Sequence, residues 1–399
     1  MPTFFRAVYT LVAAMLILAF PGTALAATFA PPLKISGDLI EGHNPAIAVA
    51  GDNLVHVVWA ATLYDGSGSE TDREIYYVRS TDNGVTFSAP VNISNSPGVT
   101  SLEPSISVAS DKSNQVHVAW HEFGSQVDIM YARSVDDGLN WSAVTNVSNS
   151  AASSFAANIY VEEDLGGNRL HVAWTECPSN CEIYYAKSND AGSSFETPKN
   201  ISNQTRFDTN PVVVANTSAI HIAWQGSSRI YYSRSADGGA TFSPAQRMTT
   251  STDVEIEPTA VIDGGGRVHV AWETRYASGG DIFWRRSLNA GASFELVANR
   301  SADPATISSG PTLSAPKGGQ VSLAWSEESF SGGTQFNQNF SVESKNGGSR
   351  WNRPDPIGGP ARNAREPALV HVGNRFYIVW EQTNPTETGT DIYFAKGDS

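Results

Sequence analysis

The sequence is poor in cysteine, in basic residues and in long apolar runs. It has two cysteines, Cys177 and Cys181, so a scaffold built on many disulfides is excluded, and a structural zinc site would need two further ligands. Its 26 Lys and Arg residues are outnumbered by 40 Asp and Glu residues. Because a nucleic-acid partner requires a basic surface, this balance argues against DNA and RNA as partners.

The long apolar run of the sequence lies at its beginning. Arg6 is followed by an apolar stretch over residues 7–20 and by the small-residue site Ala24-Leu25-Ala26, the layout of a cleavable secretory signal peptide. We therefore predict a signal peptide over residues 1–26 and a mature chain, residues 27–399, without a membrane span. The expected location is secreted, periplasmic or cell-surface. In that setting Cys177 and Cys181 are expected to form a local disulfide.

A strand pattern that ends in tryptophan recurs along the mature chain, as in VHVVW and IHIAW. Its seven copies follow one another at intervals of 48 to 61 residues and end at Trp59, Trp120, Trp174, Trp224, Trp272, Trp325 and Trp380. Each copy alternates in polarity and is rich in β-branched residues, which is typical of a strand. One strand precedes each copy and, except in the last repeat, two follow it. Four short antiparallel strands at a period of about 50 residues indicate a β-propeller blade.

The predicted fold is all-β: a seven-bladed β-propeller of four-stranded antiparallel blades, forming one domain and a monomer. The last repeat stops after its third strand, and residues 28–36 match the fourth-strand segment at residues 86–94. We expect this N-terminal strand to complete the last blade and close the ring, since an unpaired strand edge is a liability. The predicted blades are residues 45–94, 104–148, 158–202, 211–249, 258–301, 311–358, and 367–396 with 28–36.

A turn motif, Ser-x-Asp-x-Gly-x-x-Phe/Trp, recurs between the third and fourth strands. Its acidic or amide residues are Asp82, Asp136, Asp190, Asp237, Asn289 and Asn346. Such a side chain can accept hydrogen bonds from the following amides, and glycine tolerates a positive φ. The motif resembles the Asp-box, and nearly the whole mature chain resembles the Asp-box (BNR-repeat) propellers, a group that includes the sialidases. These residues are therefore interpreted as structural.

Histidines recur at one position of the second strand. They are His56, His117, His171, His221 and His269. Packed sheets lie about 10 Å apart, whereas zinc–nitrogen bonds are about 2 Å, so neighbouring copies could not share an ion. We interpret them as packing or hydrogen-bonding residues, and we expect no metal or cofactor. Calcium stays open as an alternative, because it takes several oxygen ligands.

Strand direction places many acidic residues on the loop face opposite the Asp-box turns. They precede the proline of the first strand, follow the tryptophan of the second, or begin the third: Glu103, Glu257 and Glu366; Glu122, Glu176, Glu273, Glu327 and Glu381; Glu74, Asp128, Glu182, Asp281 and Asp391. Two interpretations stay open. The carboxylates cap loop amides or pair with basic residues, or they contact a ligand.

We favour a non-catalytic module that uses this face to bind carbohydrate or a partner in the cell envelope. The candidate ligand-face residues are Tyr64, His121, Glu122, Glu273, Tyr276, Glu327, Phe330, Glu366 and Glu381. Their aromatic members could stack on sugar rings. Whether the protein is an enzyme is left open, with the weight against it, because no complete catalytic set is visible.

The alternative is a glycoside hydrolase of the sialidase type or another glycosidase. The resemblance implies an arginine clamp from Arg206, Arg275 and Arg365 and a nucleophile pair from Tyr276 and Glu257. The family's Phe/Tyr-Arg-Ile-Pro motif is matched only at Arg365 and Pro367. An acidic face would also repel an anionic sugar.

Overall fold

The computed structural model describes residues 28–37, 41–51, 53–65, 67–109, 114–162, 169–277, 279–302, 306–316, 318–331, 334–357, 363–383 and 389–398, and the statements below concern these residues. The expected signal peptide, residues 1–26, lies outside them. The regular elements in these ranges are strands, β1 to β29. In this part of the chain no helix is long and apolar enough to cross a membrane.

The strands form antiparallel meanders, in which each strand pairs with the next along the chain. The first strands are β3 (Glu41–Ala50), β7 (Thr100–Val108), β11 (Ser153–Glu162), β15 (Asp208–Asn216), β19 (Val254–Ile262), β23 (Ile307–Ser314) and β27 (Ala364–Val372). The second strands are β4 (Leu54–Tyr64), β8 (Val116–Phe123), β12 (Arg169–Cys177), β16 (Ala219–Gly226), β20 (Val268–Tyr276), β24 (Val321–Ser331) and β28 (Arg375–Thr383).

Third and fourth strands complete the meanders. The third strands are β5 (Glu70–Ser80), β9 (Val127–Ser134), β13 (Glu182–Ser188), β17 (Arg229–Ser235), β21 (Gly279–Ser287), β25 (Thr334–Ser344) and β29 (Thr390–Asp398). The fourth strands are short: β6 (Val91–Asn92), β10 (Thr145–Asn146), β14 (Lys199–Asn200), β18 (Gln246–Arg247), β22 (Ala298–Asn299) and β26 (Asp355–Pro356).

Hydrogen bonding groups the described strands into six sheets. Four sheets hold one meander each: β3–β6, β7–β10, β11–β14 and β15–β18. An eight-stranded sheet holds two, β19–β22 and β23–β26, which meet at the single parallel pair of Gly280 and Ile307. The sixth sheet consists of β27–β29 with β1 and β2.

The N-terminal segment fills the fourth-strand position of the last meander. β1 (Thr28–Phe29) and β2 (Leu33–Lys34) both pair antiparallel with β29, and Leu33 lies opposite Phe394. The backbone N–H of Ile35 continues the ladder by donating to the carbonyl of Ile392 (2.9 Å). This is the pairing that the sequence match of residues 28–36 predicts.

Each first strand begins three to five residues earlier than the sequence suggests. For example, β7 begins at Thr100, whereas the predicted blade begins at residue 104. The register of the β7–β8 pair shifts between Leu102 and Ser105, a β-bulge, and Pro104 lies inside it. Since proline cannot donate to a ladder, the bulge is where a strand tolerates it, and pairing resumes on its N-terminal side.

The apolar core lies between neighbouring meanders. The second-strand tryptophans are almost completely buried, because their strands are covered on both faces. One cluster joins Ile47 and Trp59 of the first meander to Ile392 and Phe394 of the last. The two ends of the chain therefore share a core as well as a sheet.

Candidate functional site

A central channel is enclosed by the first strands of all the described meanders, with a volume of about 1070 Å³. We call one side of the sheets the hairpin face, because it carries the hairpins between second and third strands, such as β4–β5 and β24–β25. The other side is the turn face, which carries the Ser-x-Asp and Ser-x-Asn turns.

The channel mouth on the hairpin face is formed by one left-handed residue from each first strand. Their φ angles lie between 49° and 60°, and the residues are Asn44, Glu103, Ala156, Asn210, Glu257, Gly310 and Glu366. Glycine adopts this conformation freely, whereas a side chain costs about 1 kcal/mol or more. Three of the seven positions hold glutamate despite that cost, and these place carboxylates at the mouth.

Glu366 and Glu381 form a carboxyl pair where the last meander meets the first. Asn44 of the first meander donates its backbone N–H to Glu381 (2.5 Å) and its side-chain amide to Glu366 (2.8 Å). Burial and then the contact with Glu381 raise the pKa of Glu366 to about 8. Burial opposes ionisation of Glu381, but the adjacent His43 imidazole (3.8 Å) and the hydrogen bond from the Asn44 backbone hold its pKa below the usual value. The pair therefore shares one proton at neutral pH.

Glu103 and Glu257 occupy the same position in other meanders. Desolvation by the surrounding channel wall raises the pKa of both, and for Glu257 the nearby charge of Glu273 adds to the effect while that of Arg275 opposes it. His121 lies beside Glu103, with its Nδ1 at 3.7 Å from a carboxylate oxygen. Arg275 forms an ion pair with Glu273. The mouth is thus acidic, and its carboxyls are close enough to influence one another.

Residues directly after the tryptophan also bond the next meander. Thr175 accepts from the N–H of Asn210 (3.1 Å), and Glu273 accepts from the N–H of Gly310 (3.3 Å). Glu381 does the same with Asn44. Among the candidates, Glu273 and Glu381 therefore cap backbone amides and also face the mouth, which combines the two interpretations that the sequence left open.

Glu122 and Glu327 hold second-strand tryptophans instead of facing the mouth. Glu122 accepts from the Trp120 indole (3.3 Å) and from Ser101 (3.0 Å). Glu327 accepts from the Trp325 indole and from Ser308 (3.1 Å). These two sequence candidates belong to the interior, and Glu176 binds Trp174 in the same way (3.0 Å).

Two buried carboxylates that sequence reasoning missed occupy the equivalent place in other meanders. Asp208 lies opposite Gly226, and Glu255 lies opposite Thr274, where other meanders pair serine with glutamate. Three other meanders have a glutamate two residues after the tryptophan, whereas Gly226 and Thr274 occupy that position after Trp224 and Trp272. This difference in the sequence was the signal that the carboxylate comes from another strand.

The acids that begin third strands are structural as well. Each accepts a hydrogen bond from a serine beside the fourth-strand position: Glu74 from Ser94, Asp128 from Ser148, Glu182 from Ser202, Asp281 from Ser301 and Asp391 from Ser36. They tie outer strands together. The basic residues of the third strands lie elsewhere, since Arg79 donates to the carbonyl of Asp137 on the turn face (3.1 Å).

Exposed aromatic side chains gather on the hairpin face. Between 36% and 63% of each is accessible, and they are Tyr64, Phe123, Phe207, Tyr276 and Phe330. The turn face exposes large aliphatic side chains instead, in the described residues Val85, Val135, Leu139, Leu288 and Leu296. Phe123 and Phe207 were not among the sequence candidates, because exposure cannot be told from residue type.

Four of the five residues of the hydrolase alternative are engaged with other partners. Arg206 lies over the Tyr231 ring, 3.7 Å from its centre, and donates to Asp208 (2.6 Å). Arg365 donates to the side-chain oxygen of Asn337 (2.9 and 3.1 Å). Tyr276 donates to Asp281 (3.1 Å). Arg275 pairs with Glu273, as described above, and the Tyr276 hydroxyl is thus engaged away from Glu257.

Four of the five repeated histidines bond tyrosines inside the sheets, namely His56, His117, His171 and His221, whereas His269 bonds Asp263 (3.1 Å). His56 Nδ1 lies 2.7 Å from the Tyr77 hydroxyl, and burial lowers the pKa of His56 to about 4. Among the described residues, no three His, Cys, Asp or Glu side chains are grouped to hold a metal ion. Cys177 and Cys181 are joined by a disulfide in the β12–β13 hairpin.

Comparison with solved structures identifies the architecture. A protein of unknown function from Dyadobacter fermentans aligns over 95% of this chain and 100% of its own, with 12% identity and a TM-score of 0.57. A polysaccharide lyase of family PL25, an ulvan lyase, aligns over 92% of this chain and 95% of its own, with 10% identity and a TM-score of 0.62. The chain has a sialidase-like β-propeller fold.

The sialidase of Trypanosoma rangeli has the same fold. Its alignment covers 93% of this chain and 59% of the sialidase chain, with 12% identity and a TM-score of 0.53. No protein-family model and no curated protein sequence matches the chain. At these identities, the likeness of the propeller extends to the fold alone.

Proposed function

We propose that this chain is an exported, seven-bladed Asp-box β-propeller that binds carbohydrate on its hairpin face without cleaving it. Each meander is then one blade, the eight-stranded sheet counts as two blades joined at one residue pair, and the turns around Asp82 and its equivalents are the Asp-boxes. The Asp82 carboxylate accepts from Ser80 (2.7 Å) and from the Thr86 backbone (2.9 Å), which supports a structural role.

The observation that carries the proposal is that exposed aromatic side chains and an acidic channel mouth lie on the same face. Aromatic rings cover the apolar faces of sugars, and carboxylates accept hydrogen bonds from sugar hydroxyls. Both groups lie on the hairpin face, so a ligand bound there meets aromatic rings and carboxylates on the same side of the molecule. A sialidase and an ulvan lyase have this propeller fold, so the architecture is compatible with carbohydrate ligands.

The contact between Glu366 and Glu381 does not fit the spacing of a glycosidase pair. A glycosidase places its two carboxyls about 5 to 9.5 Å apart, with the scissile bond between them. Glu366 and Glu381 are in hydrogen-bond contact, which leaves no room for a sugar. Tyr276, which a sialidase-type mechanism would pair with Glu257, is bonded to Asp281.

A glycan array and a panel of fluorogenic glycosides, sialosides included, test this proposal on the mature protein. We expect binding without turnover. Phe330→Ala and Tyr276→Ala should each weaken binding about fivefold, since a ring contact contributes about 1 kcal/mol. Leu296→Ala, at an exposed residue of the turn face, is the matched control and should bind as the unmodified protein does.

Two results would overturn the proposal. Turnover that is lost in Glu257→Gln or Tyr276→Phe would establish the hydrolase. Absence of binding to every glycan tested would refute a carbohydrate ligand.

A further inference from the structure

Three carboxyl side chains face one space at the channel mouth. Glu103, Glu257 and Glu366 extend from different blades, and 53% of the Glu103 side chain is accessible. The charge of Glu103 contributes to the raised pKa of Glu257, and that of Glu257 to the raised pKa of Glu366. The intervening positions hold asparagine, alanine or glycine, so no lysine or arginine occupies the ring itself.

A second observation at the mouth is a buried histidine that faces this space. His121 is 4% accessible, and its Nδ1 has no hydrogen-bond partner among the described residues. The 3.7 Å separation from Glu103 exceeds a hydrogen bond. Burial lowers the pKa of His121 to about 4, so the ring is neutral at physiological pH. The ring packs against Phe123 and Phe155, which holds the uncharged imidazole beside the Glu103 carboxylate.

We propose that the channel mouth binds the protonated amine of an amino sugar, with the ammonium group among Glu103, Glu257 and Glu366 and the sugar rings against the aromatic side chains. This inference rests on the proposed carbohydrate-binding function and names its ligand class. An ammonium group carries one positive charge and three donors, which suits carboxylates on separate strands. An N-acetylated sugar has neither the charge nor the donors.

The proton shared by Glu366 and Glu381 gives the binding a signature. An ammonium group beside the pair favours both carboxylates in their charged form, so binding releases a proton. The other groups that face Glu366 are His43 and Asn44 on β3, Glu257 across the mouth, and Arg365, whose guanidinium bonds Asn337. A neutral glycan would leave the shared proton in place.

Titration calorimetry tests the inference on the mature protein, with a glucosamine tetramer and its N-acetylated counterpart as probes. At pH 6 we expect the amine form to bind at least tenfold more tightly. Heats measured in buffers of different ionisation enthalpy should show proton release for the amine form alone. Glu366→Gln, which keeps hydrogen bonds to Asn44 and Glu381, should lose tenfold affinity and the proton release.

Glu103→Gln serves as a second variant, because Glu103 takes no part in joining the first and last blades, and it should also lose affinity. Glu70→Gln, on the β4–β5 hairpin and paired with Arg73, removes the same charge away from the mouth and should leave affinity unchanged. Equal affinity for both tetramers would overturn the amine inference while the carbohydrate-binding function stands. Loss of all glycan binding would instead count against both.

Discussion

Asp208 lies directly opposite Gly226, on neighbouring strands of one blade, where three other blades pair a serine with a glutamate. Each of these four blades places one carboxylate beside the tryptophan. In three of them the second strand supplies it as glutamate, whereas Asp208 comes from the first strand. The side chain of Asp208 is fully buried and bonds Arg206.

Removing Asp208 should therefore destabilise the fold. We expect Asp208→Ala to lower the free energy of unfolding by about 3 kcal/mol, because Arg206 loses its partner in a largely buried place. Ser154→Ala is the matched control: it occupies the same slot opposite Glu176, and its hydroxyl has no partner among the described residues. Urea unfolding followed by tryptophan fluorescence measures both. Equal effects would contradict the role assigned to Asp208.

The N-terminal segment should carry measurable stability. Ile35 is 6% accessible and packs in the core shared by the first and last blades, whereas Leu33, two residues away, is 39% accessible. Ile35→Ala should cost about 3 kcal/mol, and Leu33→Ala less than about 1 kcal/mol. Deleting residues 27–37 should abolish the folded state. A deletion variant that melts like the unmodified protein would refute the closure.

A glycine in the second turn should be irreplaceable for a steric reason. A Cβ added to Gly138 would overlap the Tyr77 hydroxyl of the neighbouring blade, and φ there is +80°. Gly98 has φ +84° but nothing within 4 Å of an added Cβ, so it is the control for backbone strain alone. We expect Gly98→Ala to cost about 1 kcal/mol and Gly138→Ala about 3 kcal/mol or more, by thermal melting.

Relief of that clash distinguishes packing from strain. Tyr77→Ala removes the hydroxyl and the ring carbons that an added Cβ would overlap. In this background Gly138→Ala should cost less stability than in the unmodified protein, although Tyr77→Ala also removes the partner of His56. Strictly additive effects of the two changes would show that the residues do not interact.

Glu366 should make stability fall as pH rises. Its pKa is raised from 4.5 to about 8 in the folded state, so between these values the folded protein holds a proton that the unfolded chain has released. Stability then decreases from about pH 4.5 to pH 8 and levels off above. Melting temperatures over pH 5–9 should show this decline, and Glu366→Gln should flatten it. If the melting temperature of Glu366→Gln fell with pH as steeply as that of the unmodified protein, Glu366 would not be the cause of the decline.

The periodic parts of the sequence predicted much of the fold. The alternating strands, their antiparallel order and the match of residues 28–36 to a fourth strand lead to the sheets that the structure has. The start of each first strand was misplaced, because proline at position 104 and its equivalents looks like a strand start and is in fact part of a bulge. Strand direction placed Glu103, Glu257 and Glu366 at the mouth, where the structure has them. It placed Glu122 and Glu327 on the same face, although they bond tryptophans in the interior.

The candidate site was predictable only in part. Glu366 and Glu381 were named from their places in the repeat, yet their contact with each other and with Asn44 depends on how the last blade meets the first. Glu122 and Glu327 looked equivalent to Glu273 and Glu381, since all four follow a tryptophan. Glu273 and Glu381 come one residue after the tryptophan, whereas Glu122 and Glu327 come two residues after it. Because successive side chains of a strand lie on opposite faces, Glu122 and Glu327 lie inside.

By itself, the sequence determined what is local and repeated: strands from alternating polarity, turns from Ser-x-Asp and glycine, and the closing strand from its match to the others. Tertiary structure alone decided what depends on distance: which carboxyls share a proton, that His121 faces Glu103, and which aromatic rings are left exposed. The reason is physical. Strand and turn preferences arise within a few residues of backbone, whereas the channel mouth is assembled from side chains on separate blades whose positions are set by packing of the whole ring.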